Sequence, residues 1–254
     1  MNSKINKWSC IILLNIIACT TFASDDELLN KANELYRNQQ YESALTHYDS
    51  LLSLGHQTGM LYYNVGNTHF KLNNIAKAIL YFEKAKLFDP SNEKIDHNLS
   101  KARLMTIDRI EEIPEFFLNK TARNFVLLLS SNTWSIASAI LFIFSLLLVL
   151  VFFLSKKTSL RRIGFYFSLL FLILSAFTFS FARKAMNHKV NNDAAIIMTP
   201  TVTMKGSPSE SSSDLFIIHE GTKVFITDKV NDWLEIKLSD GKQGWLHAND
   251  IERI

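Results

Sequence analysis

The chain has 254 residues, 48% hydrophobic and 20% charged, with a formal net charge of +3. That balance fits a membrane protein with modest soluble parts. A nucleic-acid binder needs a concentrated cationic face, whereas Lys and Arg are spread here among acids, so nucleic acid is set aside as a partner.

Residues 1–23 read as an export signal. Lys4 and Lys7 form a positive n-region, Trp8 to Ala18 an apolar core too short for a comfortable span, and small and polar residues follow. Thr21-Phe22-Ala23 offers a cleavage site, with Ser24 as the mature start. Ile16-Ile17-Ala18-Cys19 also resembles a bacterial lipobox, which would cleave before Cys19 and lipidate its sulfur. Cleavage at Ala23, lipidation at Cys19 and retention as an anchor all send the next segment outward. Both cysteines, Cys10 and Cys19, lie in this signal. Removal after Ala23 therefore leaves no thiol for a disulfide, a zinc site or a nucleophile.

From 24 to 113 the chain is polar, helical in period and self-similar. Ala44 and Ala78 lie 34 residues apart, as do Ala32 and Gly66, Tyr48 and Phe82, and Leu28 and Tyr62. With Tyr62, Val65, Gly66, Ala78, Phe82, Ala85 and Pro90 at their spacings, 59–92 resembles a tetratricopeptide repeat, and 25–58 a weaker copy with Lys31 and His56 off pattern. Small residues let paired helices approach while Tyr48 and Phe82 fill the gap between them. Ser91 or Asn92 is expected to cap a third helix, 93–112, whose Ile95, Leu99, Ala102, Ile107 and Ile110 form one apolar stripe. That helix is read as the cap closing an all-α solenoid.

The resemblance implies a concave groove lined by the first helix of each repeat. Three positions facing it recur in pairs: Asn33 with Asn67, Tyr36 with Phe70, and Arg37 with Lys71, and Tyr63 and Asn64 join them. Amides bond an extended peptide backbone, aromatics hold an apolar side chain and cations favour acidic groups. The bland alternative is that these residues solvate the face and pack between helices. Family members that clamp a free carboxylate place a lysine where this chain has Leu29, so that clamp is incomplete.

After a linker, 114–133, with Phe116-Phe117-Leu118 and Lys120 beside Arg123, read as interfacial with Trp134 as aromatic anchor or as plain linker, come two uncharged runs. Trp134 to Leu154 (134–154) and Ile163 to Ala182 (163–182) each reach about 30 Å as helices, the thickness of a bilayer's hydrocarbon. Neither shows the polar stripe of a soluble core helix, so they are expected to form a transmembrane hairpin. The turn between them, 155–162, carries Lys156, Lys157, Arg161 and Arg162, which marks it as cytoplasmic. Arg183, Lys184 and Lys189 blur that signal; the export signal decides it, placing both soluble parts on the periplasmic side of the inner membrane.

Past a polar linker, 183–193, the texture of 194–254 changes to alternation. Five strands are expected: Ala195–Met198, Leu215–Ile218, Thr222–Thr227, Trp233–Leu238 and Gly244–His247, with Leu234 breaking strict in-out order. Turns fall at Gly206-Ser207-Pro208-Ser209, Glu220-Gly221, Asn231-Asp232 and Asp240-Gly241. With Asp232-Trp233-Leu234 and Asp240-Gly241 ahead of Gly244-Trp245-Leu246, the stretch resembles the bacterial SH3-like domain, a small all-β barrel. Trp233 and Trp245 are expected in or against its core. The loop with Ser207, Ser209 and Glu210 is the candidate for recognition.

No pair of the seven histidines lies three, four or five apart, and no phosphate loop, nucleophile elbow or zinc motif appears. Glu111 and Glu112 read as a solvated face. The expectation is a protein without catalytic residues, cofactor or metal. In domain order the chain resembles the BatE-like aerotolerance (Bat) operon proteins of bacteria. That resemblance implies a non-enzymatic inner-membrane component working beside von Willebrand-type Bat subunits and a MoxR-type ATPase in oxygen or envelope-stress tolerance. Two readings stay open: a scaffold gripping protein partners, and a cell-wall or ligand-sensing protein whose SH3-like domain recognises peptidoglycan.

Overall fold

A computed structural model describes residues 25–110, 121–122, 125–190 and 193–254. The export signal with Cys10 and Cys19, the pair Glu111 and Glu112, Phe116-Phe117-Leu118, Lys120 and Arg123 lie outside the described residues.

The first part is a stack of helices: α1 (25–37), α2 (Tyr41–Ser53), α3 (Gly59–Lys71), α4 (Ile75–Phe88) and α5 (Glu93–Arg103). The 34-residue period is visible down to the backbone. Gln39 and Asn73, at equivalent positions in the turns after α1 and α3, both adopt left-handed φ, 61° and 60°. Ala32, Ala44, Tyr48, Val65, Ala78 and Phe82 are buried, as the spacing predicts. Gly66 has no latitude, since an added Cβ would sit 2.7 Å from the buried Phe82 ring. The Asn92 side chain caps α5 by accepting from Lys94 N at 3.1 Å. The third helix is shorter than expected, ending at Arg103. There the Thr106 hydroxyl donates to the carbonyls of Arg103 (2.8 Å) and Asp108 (3.2 Å), drawing the chain off the helical path. Ile95, Leu99 and Ala102 are buried as read, but Ile107 is 70% exposed and Ile110 packs on the barrel core.

The barrel has seven strands in the order β3-β2-β6-β5-β4-β1-β7, with every pairing antiparallel. They are β1 (Ala194–Ile197), β2 (Thr201–Lys205), β3 (Asp214–His219), β4 (Lys223–Val230), β5 (Trp233–Leu238), β6 (Gln243–His247) and β7 (Ile251–Arg253). Five were expected; β2 shows the sequence only two inward residues, Val202 and Met204, and β7 is three residues long. In β5 the alternation is strict after all, with Leu234, Ile236 and Leu238 inside. Trp233 and Trp245 correspondingly stand on the opposite, outer face, half-buried and outside the core.

The barrel, rather than α5, closes the solenoid. Ile196 of β1 is fully buried in one cluster with Ala78, Ile79, Leu80 and Phe82 of α4 and Leu99 and Ala102 of α5, with Met198 and Ile254 packed around it. Burying the apolar end of an open-ended stack is the task of a terminal cap.

The two remaining helices, α6 (Ser131–Leu154) and α7 (Thr158–Val190), pack antiparallel and are long and apolar enough to cross a membrane. They begin earlier than the expected 134–154 and 163–182, so the connection shrinks to 155–157 and Arg161 and Arg162 sit within the first two turns of α7. Serines hold the pair. Ser138 Oγ donates to the Ser175 carbonyl and Ser175 Oγ to that of Ser138, both at 3.0 Å, and Ser145 Oγ donates to the Ser168 carbonyl at 2.9 Å. A Cβ on Gly164 would lie 3.0 Å from the Leu148 carbonyl oxygen. Small residues and side-chain-to-backbone bonds take over where lipid removes any hydrophobic drive between helices. Trp134 turns inward, its Nε1 donating to the Val126 carbonyl at 2.9 Å and its ring 5.2 Å from that of Phe181.

Candidate functional site

The first helices of the repeats stand side by side and exchange amide hydrogen bonds. Asn64 Nδ2 donates to Asn33 Oδ1 at 3.1 Å, and 34 residues on Asn98 Nδ2 donates to Asn67 Oδ1 at 2.7 Å. The repeated bond makes α5 the first helix of a third repeat. Asn98 escaped the sequence reading, although its place 34 residues after Asn64 was the signal that could have found it. Asn33 Oδ1 also accepts from the Tyr48 hydroxyl at 2.7 Å, and Asn98 donates to Tyr63 Oη at 3.0 Å. Burial, with the Tyr36 phenol second, raises the pKa of Tyr48 to about 12, so its hydroxyl stays a donor.

The predicted groove residues therefore divide. Asn33 and Asn64 are bonded to each other, and Asn67 and Tyr63 to Asn98, tying the repeats together. Tyr36 lies edge-on to Tyr41 at 5.3 Å, and Phe70 packs against the α4–α5 core, so these half-buried rings mainly join helices. Arg37 and Lys71 are exposed. Beneath the face His69 is 4% exposed and its Nδ1 has no hydrogen-bond partner among the described residues. It stacks on Tyr81 at 5.4 Å, and burial, with Lys77 second, lowers its pKa to about 4.

On the barrel, the loop candidates meet an aromatic pair. The Glu210 carboxylate lies 2.7 Å from His247 Nε2, and the His247 ring is 4.0 Å from that of Trp233. Ser207 and Ser209 shape the loop, the Ser209 amide donating to the Ser207 carbonyl at 2.7 Å and its hydroxyl lying 2.9 Å from that of Ser211. Trp245 stands opposite Glu235 and Lys205 on the same outer face.

Between solenoid and barrel sits a charged seam. Glu83, with 5% of its side chain exposed, receives Arg103 at 2.6 Å and Lys223 at 2.7 Å. Burial alone would raise its pKa, but those two cations hold it below the ordinary value. Asp108 accepts from His219 N (2.6 Å) and the Thr222 hydroxyl (2.9 Å) and pairs with His219 Nδ1 (2.9 Å). Against the raising effect of burial, those bonds lower its pKa too. Gly221, at φ +84°, fits between: a Cβ there would meet Thr106 Cγ2 at 2.7 Å.

At the far end, Lys156, Lys157, Arg161 and Arg162 are all exposed, with Arg161 5.2 Å above the Phe152 ring. Among the described residues no three metal-ligating side chains converge.

A profile of the tetratricopeptide repeat matches residues 60–92, and a profile of the bacterial SH3 domain matches residues 201–252. The chain carries both. No curated protein matches the chain. The repeat match covers α3 and α4, whose face holds Asn67, Phe70 and Lys71. The SH3 match begins after β1, the strand that docks on the solenoid.

Proposed function

We propose that this chain is a non-enzymatic scaffold of the bacterial inner membrane that holds protein partners through its tetratricopeptide groove, with the SH3 domain offering a second contact. The observation that carries this reading is the division of the solenoid's surface. Its end is covered by the barrel through Ile196, while the face lined by α1, α3 and α5 keeps exposed cations. Among the described residues no three metal-ligating side chains converge, and the work assigned is tethering, which raises effective concentration without new chemistry. The antiparallel packing of α6 and α7 supports a membrane hairpin that returns the chain to the side it left, with Lys156, Lys157, Arg161 and Arg162 at the cytoplasmic turn. The order of the parts supports a place in a Bat-type complex with von Willebrand-type subunits and a MoxR-type ATPase.

Two experiments test the reading. Affinity purification of the full chain should recover membrane partners that R37E/K71E loses; equal recovery with the variant removes the groove from the account. Cysteines introduced by Ser211→Cys and Lys156→Cys should respectively react and fail to react with an impermeant maleimide applied from the periplasmic side.

A second reading has its own observation. Glu210, His247 and Trp233 form a polar and aromatic patch on the outer barrel face, suited to a peptidoglycan peptide. Retention of the full chain on purified sacculi, lost in Trp233→Ala, would establish it.

A further inference from the structure

We infer that the groove takes an acidic, extended, internal segment of its partner, recognised by the charge of its exposed cations; this rests on the groove reading above. The amide oxygens of Asn33 and Asn67 are already engaged in tying the helices together, Asn33 accepting from Tyr48 and Asn64, and Asn67 from Asn98. The third helix breaks the series. At the position equivalent to Asn33 and Asn67 it places Lys101, and among the described residues no further helix of the stack follows α5 to bond it. One turn beyond the two asparagines stand Arg37 and Lys71.

Arg37, Lys71 and Lys101 are exposed and have no ion-pair partner among the described residues. Lys94 adds a fourth charge at the position equivalent to Asp26 and Met60, and Asp26 is the acid of that row. The face thus carries a surplus of positive charge across three neighbouring helices. Helix axes pack 8–10 Å apart, so the row spans about 20 Å, or about six residues of extended chain. Met60, 67% exposed, and Met105, 52% exposed, offer flexible apolar contact beside the cations. With Leu29 where a carboxylate-clamping lysine would stand, a free C-terminus gains nothing over an internal acidic stretch.

The test uses the full chain in neutral detergent and a fluorescein-labelled probe, acetyl-EELEEFEE-amide, read by anisotropy against analogues with every Glu replaced by Gln or by Lys. The acidic probe should bind, the Gln analogue at least about tenfold more weakly, and R37E/K71E/K101E should lose about tenfold in affinity while melting like the parent. Raising salt from about 0.05 to 0.5 M should weaken the acidic probe most. Equal binding of the Gln or Lys analogue overturns the charge assignment and leaves the groove reading standing. Binding of no peptide overturns both. Cation-dependent binding to phosphatidylglycerol vesicles in place of the peptide assigns the face to lipid and overturns the inference.

Discussion

Two helix assemblies in this chain are held by polar side chains at regular spacing, and they differ in how the spacing runs. In the solenoid the bonded pairs are Asn33 with Asn64 and Asn67 with Asn98, with a constant sequence separation. In the hairpin they are Ser138 with Ser175 and Ser145 with Ser168, with a separation that shrinks toward the turn. Constant separation is a translation, which leaves an open end and a free face. Shrinking separation is a fold-back, which closes on itself. The solenoid therefore needs a cap, which β1 supplies, and keeps one face of α1, α3 and α5 uncovered; the hairpin needs no cap. The forces differ as well. Buried apolar groups stabilise the solenoid and its asparagines set register, whereas the hairpin depends on close backbone approach and hydroxyl-to-carbonyl bonds.

The largest expected effect comes from breaking the cap. Ile196→Asp puts a charge into the fully buried α4–α5–β1 cluster and should cost about 4 kcal/mol or more. Thermal melts and limited proteolysis would show solenoid and barrel separating; a single unchanged transition would refute the capping role.

Next is the buried histidine. The pKa of His69, about 4, lies below its ordinary 6.5. Between those values only the unfolded chain takes up a proton, so stability is full above pH 6.5 and falls as pH drops toward 4. The loss should reach about 3 kcal/mol and then level off for this group. His69→Phe should keep the stacking on Tyr81 and flatten that part of the pH profile. At lower pH, Glu83 and Asp108 should weaken the seam in turn. Their folded pKa values lie below 4.5 and 3.8, so their contribution is whole above those values and is lost as pH falls through the lowered ones.

Gly66→Ala should cost about 2 kcal/mol, because its methyl group meets a buried ring with nowhere to move. The smallest effect belongs to the hairpin. Ser138→Ala with Ser175→Ala should remove about 1 kcal/mol of helix association, measured by a dissociation assay of split halves in detergent, without moving the solenoid's melt.

Much of this organisation was readable in the sequence, because period and polarity are local properties. The 34-residue repeat located Ala32, Gly66, Ala78 and Phe82 in the core, and uninterrupted apolar runs located α6 and α7. Turn chemistry placed the β4–β5 turn at Asn231-Asp232 and the β5–β6 turn at Asp240-Gly241. The misreadings share one cause, which is that a residue's face is set by its neighbours in space. Trp233 and Trp245 were expected in or against the core, yet Leu234 and Leu246 occupy the inner face and the register turns both tryptophans outward. Ile110 continued a helical stripe on paper, yet the helix ends at Arg103 and the chain turns so that Asp108 meets His219.

The amino-acid order by itself determined that there would be a repeat solenoid, an apolar hairpin with a basic turn and a small barrel, because each follows from hydrophobic period over one contiguous stretch. Tertiary structure alone decided that the barrel caps the solenoid and that a charged seam joins the two. The cap and the seam depend on contacts between residues such as Ile79 and Ile196 or Asp108 and His219, more than a hundred positions apart, which no local pattern encodes.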